Sequence, residues 1–443
     1  MFDKYLRLFL FSLLLGNAVP LMAGEVHEFT LENGLHLIIK EDHRAPVVVN
    51  QVWYKVGGSY ELTGKTGLSH MLEHMMFKGT QKYSPGEFSR IMAVNGAREN
   101  AFTGYDYTAY FQTLEKSRLA ISFEMEADRM RHLLLSEDEF IKEKKVVAEE
   151  RRVRTEDKPI NRTYEHFMAT AYQSSPYQNP LVGWMSDIEN YTLPDLQAWY
   201  QRWYAPNNAI VVVAGDVEPQ AVLALAKQYF GPLKSQPIIV PSPSPEVEQL
   251  GVKRITVKLP AKISYFIMGY KVPVLNTLAK ENHGEIYALD VLSYLLDGGN
   301  SARLSKNLVR GSQIAASVGV SYDPFSRLTE LFVFSGTPTN THTVAELENA
   351  LQEQIKLLKT TPVEKAELER VKNQIRASQV YELDSLFYQA MKIGMLETIG
   401  LDWQLFDQYL DNIKMVTAEQ VQEVARKYLI NKNLTVSVLE PLP

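Results

Sequence analysis

The chain has 443 residues, a formal net charge of −6, 45% hydrophobic and 22% charged residues, and no cysteine. That length exceeds what one hydrophobic core usually supports, so at least two domains are expected. Bases and acids are interleaved throughout, which gives no electrostatic case for binding nucleic acid, and the lack of cysteine excludes disulfides, thiolate ligands and a thiol nucleophile.

At the N-terminus Lys4 and Arg7 precede the apolar run Leu8 to Leu15, and small residues follow up to Gly24. A basic region, a short apolar run and small residues beyond it describe a secretory signal peptide over residues 1–23, which implies a periplasmic or secreted protein. Cleavage after Ala18 and cleavage after Ala23 both remain open, and an uncleaved membrane anchor is the alternative. No later apolar stretch approaches membrane length, so no integral membrane domain is expected after cleavage.

Gly67 to Lys78 reads as a helix that stops at Gly79. At about 100° per residue His70 and His74 share one face, with Glu73 and Phe77 beside them, while Leu68, Met71, Leu72, Met75 and Met76 cover most of the rest. Two imidazoles one turn apart can share a Zn²⁺, and a glutamate just before the second can take a proton from water activated there. The bland alternative is a pair of buried histidines satisfied by each other or by carbonyls.

A second helix is expected from Glu137 to Arg154, with Phe140, Val146 and Val147 as its apolar arc. Glu143 and Glu150 fall within that arc and Glu149 on the solvent side. Acids sit in an apolar stripe only when something positive meets them. Glu150 is therefore the expected third metal ligand, and Glu143 the group that orients a histidine. Ion pairs to Arg or Lys would be the structural alternative.

The chain then repeats itself. Ile188, Thr192, Gln197 and Asn208 recur as Ile413, Thr417, Gln422 and Asn433, 225 residues on, each time as a threonine-capped helix running into an apolar strand. Between the copies lies the proline-rich stretch Pro237 to Pro245. The expectation is an α+β protein of two homologous α/β-sandwich domains in tandem, each a mixed, mostly antiparallel sheet with helices on one face. The first domain is placed at 25–235, a linker at 236–249 and the second domain at 250–443. In the second copy Val371 and Ser378 stand where Glu143 and Glu150 stand in the first, and the segment Leu289 to Asp297, which corresponds to the histidine helix, has no histidine. Acids and histidines vanish together, as a shared metal role requires.

His70-Met71-Leu72-Glu73-His74 with the later Glu150, flanked by Asn100-Ala101-Phe102-Thr103 and by Gly298 to Leu304 in the second copy, resembles the inverzincin (pitrilysin, insulinase, mitochondrial processing peptidase) family. The likeness spans essentially the whole mature chain and matches the short, two-domain bacterial type. It implies a metallopeptidase with one Zn²⁺ on His70, His74 and Glu150 and Glu73 as general base. It also implies a substrate strand added along Asn100, Ala101 and Phe102, and a pocket lined by Phe77 and Phe102.

One departure bears on partners. Active relatives carry an Arg and, seven residues on, a Tyr in a later domain. Here Arg310 fits the first position, Ser317 occupies the second, and the nearby Tyr322 has the wrong spacing. The resemblance thus implies a zinc subunit that takes an Arg/Tyr pair from a homologous metal-free partner, with a homodimer as the alternative. The activity expected is hydrolysis of peptides or unfolded segments. The alternatives are a structural, assembly or chaperone-like subunit of the same fold.

Overall fold

The computed structural model describes residues 24–243 and 245–442, so the expected leader over 1–23 lies outside the described residues. Two sheets organise the chain. The first joins β1 (Val26–Thr30), β2 (His36–Glu41), β3 (Val47–Tyr54), β4 (Arg98–Thr103), β5 (Thr108–Glu115) and β6 (Ala209–Gly215) in the order β1-β2-β6-β3-β5-β4. The second joins β7 (Lys253–Pro260), β8 (Tyr265–Val272), β9 (Ala315–Ser321), β10 (Glu330–Pro338) and β11 (Leu434–Leu442) in the order β7-β11-β8-β10-β9. In each sheet one pair is parallel, β2 with β6 and β7 with β11, and the other pairings are antiparallel. Removing β1 from the first sheet leaves the topology of the second.

The repeat extends to single hydrogen bonds. Thr192 and Thr417 each cap a helix, Leu193–Trp203 and Ala418–Tyr428, in reciprocal boxes closed by Asp195 and Gln420. Asn208 Nδ2 donates to the Trp203 carbonyl, and Asn433 Nδ2 donates to the Tyr428 carbonyl, at the same 225-residue offset.

Helices of its own half cover one face of each sheet, as expected. The opposite face is covered by a helix from the other half, which period-3.6 patterning alone could not assign. Pro159–Ala171 packs Phe167, Met168 and Ala171 on Ile267, Leu331 and Val333 of the second sheet, and Leu386–Thr398 packs Ala390 and Ile393 on Val49, Trp53 and Val212 of the first. Gly394 is required there, because a Cβ would stand 2.2 Å from Trp53 Nε1.

Two expected helices end differently. The regular turns of the first run from Leu68 to Met75, after which Phe77 and Lys78 bond back three residues and Gly79 turns away at φ +98°. The second is regular over Glu137–Arg151 and widens to a π-turn at Arg152–Glu156. The counterpart of the histidine helix in the second copy, His283–Asp297, starts earlier than expected and does hold one histidine, but the His283 ring sits 3.2 Å from the Leu278 carbonyl. Among the described residues no helix is long and apolar enough to cross a membrane.

Candidate metal centre

The histidine helix is anchored from outside itself. Gly67 precedes it in the left-handed region at φ +87°, where a Cβ would strike the Val182 carbonyl oxygen at 2.2 Å. The helix's free N–H groups then need a partner, and the Glu61 carboxylate accepts from Gly67 N at 2.6 Å and Ser69 N at 2.7 Å. Burial pushes Glu61 up to about 8 against these bonds.

This anchoring aims three donors at one point. His70 Nε2 lies 3.6 Å from Glu150 Oε1, and His74 Nε2 lies 3.3 Å from Glu150 Oε2. Donors on a tetrahedral zinc at about 2.0–2.2 Å stand roughly 3.3–3.6 Å apart, so these separations leave room for such an ion. Glu150 Oε1 is buried without a hydrogen-bond partner; Arg154 Nη1 approaches it to 2.6 Å but is not aligned to donate. A buried carboxylate oxygen facing two imidazoles with no donor of its own suits a cation, and two nitrogens with one oxygen suit zinc. His70 and His74 hold Glu150 well below the usual carboxylate range, while burial pulls His74 down and Glu150 and Glu143 more than offset it.

The surrounding residues fix orientation. Glu143 Oε2 lies 3.2 Å from His74 Nδ1, which leaves Nε2 for the ion, and Glu143 Oε1 is paired with Lys78 Nζ at 2.6 Å. Thr103 Oγ1, on β4, donates to Glu73 Oε2. Glu149 points to solvent with its side chain 64% exposed, on the far side of the helix from Glu150. Val146, expected in the apolar arc, is 48% exposed. It lies about 40° beyond Glu150 on the wheel, at the edge of the packed face.

The comparisons with known proteins fall on this architecture. The family described as "Insulinase (Peptidase family M16)" matches residues 36–184, and the one described as "Peptidase M16 inactive domain" matches residues 190–375. The zinc protease PqqE of Helicobacter pylori is 36% identical over 360 residues, 80% of each chain. This chain belongs to peptidase family M16. A crystal structure of a protease from Helicobacter pylori superposes with a TM-score of 0.89 at 33% identity, over 94% of this chain and 100% of that one. The periplasmic protease PqqL of Escherichia coli shares the fold at a TM-score of 0.79 and 18% identity, over 94% of this chain and 48% of that one.

Not every residue expected at the M16 site converges on it. Phe77 is partly buried beside Tyr110, on the side of the sheet covered by the helices of its own half. Ala101 packs on that same side, and Thr103 reaches Glu73 from it. Phe102 and Asn100 alternate to the other face, where Phe102 meets Trp53 edge-on at 5.4 Å. Phe77 and Phe102 therefore do not share a wall here. Arg310 is exposed in the second half, and its Nη2 donates to the Asn300 carbonyl. The Tyr322 hydroxyl donates to the Pro273 carbonyl at 2.7 Å. Thr103, Lys78 and Glu61 were not foreseen as site residues. Thr103 belongs to the flanking segment that carries the family likeness, but its partner lies thirty residues away and nothing local signals it.

Proposed function

We propose that this chain is an exported zinc metalloendopeptidase that hydrolyses peptides or unfolded polypeptide segments, with one zinc ion on His70, His74 and Glu150. The observation that carries this reading is Glu73: it stands on the helix that presents both imidazoles, its charge acts on His74, and one of its carboxylate oxygens is held by Thr103. A scaffold has no use for a base so placed. Bound zinc would lower the pKa of water towards neutrality and polarise the peptide carbonyl. Glu73 takes the proton of the attacking water and returns it to the leaving amine. Glu143 keeps His74 in the tautomer that presents Nε2. β4 is an edge strand, so an extended substrate can add along Asn100, Ala101 and Phe102 by taking the outward backbone groups, among them the Ala101 N–H that the Asn100 side chain holds at 2.9 Å.

In this reading residues 25–235 form the zinc domain, 236–249 the linker and 250–443 a metal-free domain, after a signal peptide over 1–23. The separate sheet and core of each half support the division, and the shared fold of a periplasmic protease supports export. Arg310 and the missing tyrosine point to a heterodimer with a metal-free homologue that completes substrate binding. A non-catalytic subunit is the competing reading. The deciding assay compares wild type with Glu73→Gln on a quenched peptide, alone and with candidate partners. The expected result is zinc bound in both and cleavage lost in the variant, by at least about 100-fold. A variant that cleaves normally, or a wild type without zinc, would sink the mechanism.

A further inference from the structure

The two halves meet around a buried carboxylate that the chemistry above does not use. Asp106 lies in the turn between β4 and β5 and is 5% exposed. It accepts from Ser59 Oγ at 2.6 Å, from the Tyr177 hydroxyl, and from the backbone N–H and Nε of Arg327, each at 3.1 Å. Arg327 belongs to the second half, in the loop before β10. Its Nη2 donates to Ser59 Oγ at 2.7 Å and its guanidinium stands 4.1 Å from the centre of the Tyr60 ring. One cation of the metal-free half thus closes on two loops of the other.

Both loops lead to the metal centre. The Gly58–Tyr60 turn runs straight into Glu61, whose carboxylate holds the first N–H groups of the histidine helix. The turn containing Asp106 follows directly on Thr103, which holds Glu73. Gly58 N donates to the Gly104 carbonyl at 3.1 Å and Ser59 N to the Tyr105 carbonyl at 2.7 Å, so the two loops move as one. We propose that Arg327 is a positioning residue through which the metal-free half sets the placement of Glu73 and of the histidine helix. The proposal rests on the reading of Glu73 as the base.

The guanidinium is suited to this task because its planar fork fixes direction at the carboxylate and the hydroxyl together, which a point charge does not. Losing it leaves Asp106 buried without its cation and frees both loops, and shifts near 1 Å at a reacting group cost up to about 100-fold in rate. The test measures amide exchange by mass spectrometry, zinc content, kcat and KM for wild type, Arg327→Gln and Arg327→Lys. The expected result is faster exchange over residues 57–69 and 100–107, retained zinc, and kcat lower by about 10- to 100-fold with KM nearly constant. The lysine variant falls between, because it keeps charge and loses the fork.

Wild-type exchange and wild-type kcat in Arg327→Gln, or a loss confined to melting temperature, would overturn the proposal. If the glutamine variant does not fold, the lysine variant decides by the same readings. If zinc-loaded wild type cleaves no peptide either alone or with candidate partners, the functional reading fails by itself, and exchange in the two segments still decides whether Arg327 positions them.

Discussion

Glu149 and Glu150 are chemically identical neighbours, and helix geometry separates them: one is turned to solvent and the other to two imidazoles. That choice, like the placing of His70, His74 and Glu143, was legible because it depends on spacing within one helix. Val146 was misplaced by the same wheel, since the width of a buried arc is set by what packs on it. Thr103 and Glu61 were illegible for a different reason, being joined to the histidine helix only through tertiary folding. Thr103→Val should free the Glu73 carboxylate and lower kcat by about tenfold, while Thr103→Ser should restore most of it, measured at constant zinc occupancy. Glu143→Gln should weaken zinc binding by about 10- to 100-fold in chelator competition, because His74 loses the group that fixes its ring.

At the scale of elements the duplication was readable, since capped helix and following strand recur with their side-chain bonds. The reciprocal covering of the two sheets was not, because an apolar helix face does not name the sheet it will meet. Gly394 marks where that covering is tightest. Gly394→Val should strain the contact with the rigid, buried Trp53 and cost about 1–3 kcal/mol or more, read as a lower melting temperature. Thr417→Ala, which removes only a cap on the surface of the second half, should cost about 1 kcal/mol and leave zinc content unchanged. A metal-centre defect from Thr417→Ala would show that the second half bears on the centre by more than the Arg327 contact.

The molecule as a whole carries carboxylates buried in and near the contact between its halves, and they set a pH dependence. Burial pushes Glu330 up to about 8, against bonds from Leu331 N and Ser326 Oγ. A carboxyl group whose value in the folded chain lies above its unfolded value of 4.5 favours folding at low pH, and that favour is lost as pH rises through about 8. Glu330→Gln should therefore flatten the fall in melting temperature between about pH 5 and pH 8. An unchanged slope would exclude Glu330 as its source.

The exchange of helices between the sheets has an implication for origin and for engineering. A single copy of the repeated unit, standing alone, would leave one apolar sheet face bare and one helix without a seat. Two such copies complete each other only by trading that helix, as a swapped dimer does. The present chain has the form of such a dimer fused by duplication into one polypeptide. The second half should thus be needed for folding whether or not it ever touches a substrate, and severing the chain at the proline connector should yield two fragments that become stable only together.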